Sequence, residues 1–223
     1  GGDMAELISG LSTEAIIAAR EAIEAEISAA CQRAERSRSE VELLLASKYV
    51  PIDESGKLLD ADITLVGENR AQDLIARAEA YPDRFTFDFI GALQSRKVKL
   101  IVPYVRLIHS VASDSVLAQL EKHGTPETKA LVEVNISGEQ GKAGVAADEL
   151  DDFIARCPVP VLGLMTMPPL SADPELSRAS FAALRELAQE RGLEQLSMGT
   201  TQDFAVAIEE GATIVRIGSR LLR

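Results

Sequence analysis

Val41-Glu42-Leu43-Leu44-Leu45-Ala46-Ser47-Lys48 is the first apolar run of this chain, and the alternation it opens decides the fold. Similar runs follow over 63–66, 86–90, 107–111, 130–134, 160–164, 195–197 and 213–217. Between them the periodicity predicts helices over 69–80, 114–122, 148–156 and 175–191, with Gly, Pro, Asp and Asn at the joints. Strands and helices alternating in this way, eight strands in 223 residues, read most simply as a closed parallel (β/α)8 TIM barrel of the α/β class. An open flavodoxin-like or Rossmann sheet is the runner-up. No Gly-x-Gly-x-x-Gly follows the first strand, which weakens that option.

Ahead of the first strand, residues 12–36 place Ile16, Ala19, Ile23, Ile27 and Ala30 on one face, with Glu and Arg opposite, so they form an amphipathic helix. Only Gly218 to Arg223 follow the last strand, too short a segment to cover the final sector of a barrel. The expectation is that the N-terminal helix covers it instead. No linker or internal repeat divides the chain, which is read as one domain over 1–223, with Gly1-Gly2-Asp3 before Met4 as an expression remnant.

Composition excludes several classes. An apolar content of 46% with 26% charged residues is that of a globular domain, and 23 basic against 35 acidic side chains leave a net charge of −12. That balance argues against a nucleic-acid footprint or an anionic membrane as partner. Cys31 and Cys157 are far apart and lack metal-ligand spacing, and His109 and His123 cluster with no other ligand type, so a reducing cytoplasm is expected and no metal site. No apolar stretch is long enough to span a bilayer.

The chemistry is at the strand ends. Lys48 closes the first strand, where partial desolvation would free its amine for Schiff-base formation; the same placement also suits a lysine whose ammonium simply reaches water. At the other end of the chain, Leu196-Ser197-Met198-Gly199-Thr200-Thr201-Gln202-Asp203 and Val215-Arg216-Ile217-Gly218-Ser219 join short strands to glycines and hydroxyls, the makings of a phosphate cup. Thr200 and Asp203 have capping-box spacing, so a helix is expected to begin there, and an ordinary strand-to-helix turn is the alternative. Barrel sites form at the carboxyl ends of the strands, and phosphate commonly binds after strands seven and eight. Closure makes the first and last strands neighbours, so Lys48 and the cup converge. Pyridoxal 5′-phosphate (PLP), the vitamin B6 cofactor, needs both an amine for its aldehyde and a site for its phosphate.

Seven segments also resemble a known family in their order along the chain: Ala46-Ser47-Lys48, Val66-Gly67-Glu68-Asn69-Arg70-Ala71-Gln72, Phe89-Ile90-Gly91-Ala92-Leu93-Gln94-Ser95-Arg96-Lys97, Val134-Asn135-Ile136-Ser137-Gly138-Glu139, Gly163-Leu164-Met165-Thr166, Ser197-Met198-Gly199 and Arg216-Ile217-Gly218-Ser219. They are similar to the signature segments of the PLP homeostasis proteins, the YggS/PROSC family, over about residue 41 to the end. The resemblance implies a barrel like the N-terminal domain of alanine racemase. It also implies a protein that binds and buffers PLP and influences amino-acid and keto-acid balance without established turnover. By the same resemblance Lys48 is the aldimine lysine, while Ser197, Thr200, Thr201, Gly218 and Ser219 hold the phosphate. Arg216 would face the pyridine nitrogen, with a barrel-mouth ion pair to Glu68 as the alternative. Asn69 would reach the ring oxygen or serve as a turn residue, and Met165 would line the barrel or touch the ring.

Two segments depart from the family pattern. Histidines often flank its Phe-Ile-Gly segment where this chain has Asp88 and Ala92, which puts a rim acid–base role in doubt; Thr200-Thr201 replace a serine or methionine but keep hydroxyl chemistry. Three readings of function follow: a PLP carrier that supplies PLP-requiring apoenzymes, a PLP-dependent amino-acid racemase, and a Schiff-base aldolase without PLP. A racemase of this fold draws an opposite-face base from a second, β-rich domain, and no segment for one is expected here.

Overall fold

The computed structural model describes residues 6–223; the segment Gly1-Gly2-Asp3, with Met4 and Ala5, lies outside the described residues. Among the described residues there are nine parallel strands: β1 (Glu42–Ala46), β2 (Leu65–Glu68), β3 (Thr86–Phe89), β4 (Val105–Val111), β5 (Ala130–Asn135), β6 (Val145–Ala146), β7 (Val161–Met165), β8 (Gln195–Ser197) and β9 (Ile214–Ile217). Eight of them run in the order β4-β3-β2-β1-β9-β8-β7-β5, and a further β4–β5 pairing closes the barrel. The two-residue β6 only pairs outside β5.

Eight α-helices connect and cover the strands: α1 (Thr13–Arg33), α2 (Gly56–Asp60), α3 (Ala71–Ala80), α4 (Val98–Ile101), α5 (Asp114–His123), α6 (Leu150–Arg156), α7 (Arg178–Glu190) and α8 (Phe204–Glu209). Because both faces of a barrel strand are covered, the strands are apolar on both sides. Leu44, Leu107, Leu131, Met165 and Ile214 fill the interior. Leu45, Val66, Ile108, Val132 and Val215 pack outward under the helices.

α1 starts where Ser12 accepts the Ala15 N–H at 3.2 Å, and it buries Ile16, Ile23, Ile27 and Ala30. It lies on the last sector, as its polar contacts show: Arg33 pairs with Glu209 of α8 at 2.8 Å, Arg220 pairs with Glu26, and Arg36 donates to Ile208 O at 2.7 Å. At its other flank Arg20 donates to Ala61 O at 2.7 Å, beside α2. The N-terminal helix therefore takes the place of a covering helix after β9.

Most boundaries differ from the sequence reading by one to three residues, and two of the shifts have a visible cause. The second strand begins at Leu65 rather than Ile63, because α2 ends in a Schellman turn. Asp62 has φ +59°, its N–H reaches Leu59 O at 3.0 Å, and Ile63 N–H reaches Leu58 O at 2.9 Å. The helix expected from Thr200 starts at Phe204, because Asp203 turns its carboxylate back onto the Thr200 N–H at 2.8 Å and residues 201–203 remain a turn. The short α2, α4 and β6 carry too few residues for a periodic signal.

Candidate functional site

Register brings the two ends of the chain together. Leu44 of β1 lies opposite Arg216 of β9, so the turn after Ala46 and the turn after Ile217 share one side of the barrel mouth. Between them lies a cavity of about 340 Å³, of the size that holds a small cofactor. Lys48, Asn69, Thr200, Thr201, Arg216 and Ser219 line it, together with Gly218.

Lys48 is carried on a 3-10 turn, Ser47–Tyr49, rather than on the strand itself. Its side chain is exposed, so the desolvation expected from the sequence is absent; its Nζ instead lies 5.2 Å from the centre of the Tyr49 ring. The turn is fixed from below, where Ser47 donates to Gly67 O at 3.0 Å and Arg77 of α3 donates to Ser47 O and Val50 O, each at 3.3 Å. The amine is thus exposed to solvent on a turn held by hydrogen bonds from beneath.

Asn69 follows β2, and its Oδ1 is buried with no hydrogen-bond partner. A buried amide left unmatched is costly, and the O and N of an amide exchange by rotation, so either atom can be turned to a ligand. Gly91 lets the chain after β3 cross over it: a Cβ at Gly91 would stand 2.2 Å from Asn69 O.

The cradle combines two turns. Gly199 has φ +100°, a conformation that other residues resist, and it brings Thr200 and Thr201 to the cavity wall. Gly218 N–H points at Thr201 Oγ1 at 3.4 Å, a long contact that joins the turns. Among the described residues, the Thr201 and Ser219 amides reach no backbone carbonyl, so both donors are available to an anion. The buried Asp203 takes up the Thr200 amide instead.

Arg216 forms the floor. It is 4% exposed, donating to the Ser197 hydroxyl and, at 3.2 Å, to Thr166 O. Burial lowers its pKa to about 10 while Glu133 and Asp203 oppose the fall, so it remains a cation at neutral pH. The alternative pairing with Glu68 does not form, since Glu68 is bound to Arg77 at 2.7 Å.

Two expected residues do not reach the wall. Ser197 is fully buried, its oxygen turned to Arg216 and His109 rather than to the cup. Met165 is 1% exposed within the barrel core, whereas Met167, in the loop two residues on, is 58% exposed and lines the cavity with Pro168 and Leu170. Met167 lies in the loop after β7, where strand periodicity gives no signal. Tyr49 and Ile90 also line the cavity; their places beside Lys48 and in the Phe89-Ile90-Gly91 segment were the available signals.

An amine at the mouth, a partnerless amide, a cradle of hydroxyls and amides and a cationic floor together suit a phosphorylated aromatic aldehyde. No protein-family model matches the chain. It is 41% identical over 209 residues to the pyridoxal phosphate homeostasis protein of Aquifex aeolicus, covering 87% of this chain and 92% of that one. Among solved structures, PipY of Synechococcus elongatus with PLP bound superposes with a TM-score of 0.73 at 29% identity, over 90% of this chain and 100% of that one. A protein of unknown function from Bifidobacterium adolescentis superposes with a TM-score of 0.85 at 28% identity, over 98% of each chain.

Proposed function

The chain belongs to the pyridoxal phosphate homeostasis protein family, and from that membership and the cavity beside Lys48 we propose that it binds PLP there and buffers it or delivers it to PLP-requiring apoenzymes. When bound, the cofactor supplies an electrophilic aldehyde and a ring able to hold electrons. Lys48 is the residue that would bond the aldehyde. Thr200, Thr201, Ser219 and the Gly218 turn would hold the phosphate, and Asn69 the ring oxygen. Arg216, a cation at the cavity floor, would keep the pyridine nitrogen unprotonated and so weaken the ring as an electron sink. Residues 6–223 would act as one binding unit, and the free thiols of Cys31 and Cys157 suit a reducing cytoplasm. No helix among the described residues is long and apolar enough to cross a membrane.

The observation that carries this reading is the convergence of Lys48, the partnerless Asn69 amide and the hydroxyl cradle in one cavity. The cavity mouth is open at Lys48, which favours handing the cofactor on over sealing it away from water. The test is to load the protein with PLP, mix it with a PLP-requiring apoenzyme and follow recovered activity, while assaying α-proton exchange on a panel of amino acids. Transfer with negligible exchange is expected. Sustained turnover of one amino acid, lost in Lys48→Ala, would contradict the carrier reading.

A further inference from the structure

A buried chain of hydrogen bonds inside the barrel ends on Arg216. It begins at the amino ends of β1 and β4, where Glu42 and Arg106 pair at 2.7 Å in contact with solvent. Arg106 grips both oxygens of Asp88, at 3.0 and 2.9 Å. Asp88 Oδ2 lies 2.8 Å from His109 Nε2, His109 Nδ1 lies 2.7 Å from Ser197 Oγ, and Ser197 Oγ receives Arg216. Asp88, His109 and Ser197 are each 0% exposed.

We propose that Asp88 and His109 are positioning residues that fix the Arg216 guanidinium at the cavity floor through the Ser197 hydroxyl. This rests on the reading of the cavity as a cofactor site. Every donor in the chain has one direction. Asp88 is ionised: burial opposes its charge, but the bonds from His109 and Arg106 outweigh that and hold its carboxyl below the usual range. An ionised carboxylate only accepts, so His109 Nε2 carries the proton. Burial, with the nearby Arg216 and Arg106 charges, keeps the ring neutral against the pull of Asp88, so Nδ1 is an acceptor. Ser197 must then donate its proton to Nδ1 and turn its lone pairs to Arg216, which only donates.

Remove Asp88 or His109 and the Ser197 hydroxyl loses the orientation that holds Arg216, which is left with Thr166 O as its remaining protein acceptor. Ser, His and Asp in contact also make up hydrolytic triads. That role does not apply here, because Ser197 is sealed from any substrate and its oxygen already receives Arg216.

The test uses PLP-loaded wild type, Ser197→Ala, His109→Leu and His109→Gln, and reads the pH midpoint of the visible band of bound PLP, with the mass of the borohydride-reduced Lys48 peptide measured in parallel. His109→Gln keeps one donor and one acceptor, so it should titrate with wild type. Ser197→Ala and His109→Leu should move the midpoint in a common direction by about 0.5 pH unit or more, because a displaced cation changes the field at the ring. Wild-type midpoints in both variants, with the Lys48 adduct present, would overturn the proposal, as would a His109→Gln midpoint matching that of His109→Leu. If His109→Leu does not fold, Ser197→Ala decides alone, since it removes one hydroxyl only. Absence of pyridoxyl mass on Lys48 in wild type would instead overturn the site reading beneath it.

Discussion

Arg77 donates to Glu68 at 2.7 Å with both side chains out of water, 2% and 1% exposed. The same guanidinium reaches Ser47 O and Val50 O on either side of Lys48, and also Ser55 Oγ. An arginine of α3 thus clamps the turn that presents the amine, using the fork of donors that a lysine lacks.

Arg77→Met should destabilise the fold by about 3–5 kcal/mol, since it leaves the Glu68 carboxylate buried without its partner. Urea unfolding of the two proteins measures the difference. A loss within experimental error would mean that Glu68 is held neutral by burial, the direction in which desolvation pushes it against Arg77.

Acid should weaken the fold in two stages. Burial depresses the pKa of His109 from 6.5, so as pH falls below that value the unfolded chain takes up a proton that the folded ring refuses, and stability drops. Asp88, held below its ordinary 3.8, contributes stability above that value and loses it as pH falls through its lower folded pKa. Unfolding free energies measured from about pH 7.5 to about pH 5 should therefore decline in wild type and stay flatter in His109→Gln. Equal slopes would show that His109 charges in the folded state.

The proposed phosphate cradle should make a separable contribution to binding. Thr201→Ala and Ser219→Ala should each weaken PLP binding by about 1.5–3 kcal/mol, the worth of a hydrogen bond to a charged group, while leaving binding of phosphate-free pyridoxal unchanged. Titration with both ligands checks this, and equal affinity of wild type for the two would remove the phosphate from the account.

Asn69→Leu removes an amide that has no protein partner, so the protein without cofactor should lose little stability, and PLP affinity should fall. Unfolding and binding measured on one preparation separate the two effects. A large loss of stability with unchanged affinity would give Asn69 a purely structural role.

The barrel was legible because its strands are short apolar runs separated by helical segments, and the two cavity-lining turns because glycine and hydroxyl residues follow the last two of them. Lys48 was found by its place after β1, but its exposure was not, because a 3-10 turn carries it off the strand. Ser197 was misplaced for a related reason. In a strand of three residues, the face a side chain takes depends on the barrel's twist rather than on local pattern. The partnership of Asp88, His109, Ser197 and Arg216 joins four strands, and no spacing along the chain encodes it.

Lys48 is the proposed covalent anchor for PLP in this cavity. Borohydride reduction of the PLP-loaded protein, digestion and mass measurement of the peptides test it directly. Pyridoxyl phosphate mass is expected on the Lys48 peptide alone, and Lys48→Ala should lose the internal-aldimine absorption while still binding PLP weakly through the cradle. Label on another lysine, or aldimine absorption unchanged in Lys48→Ala, would show that Lys48 is not the anchor.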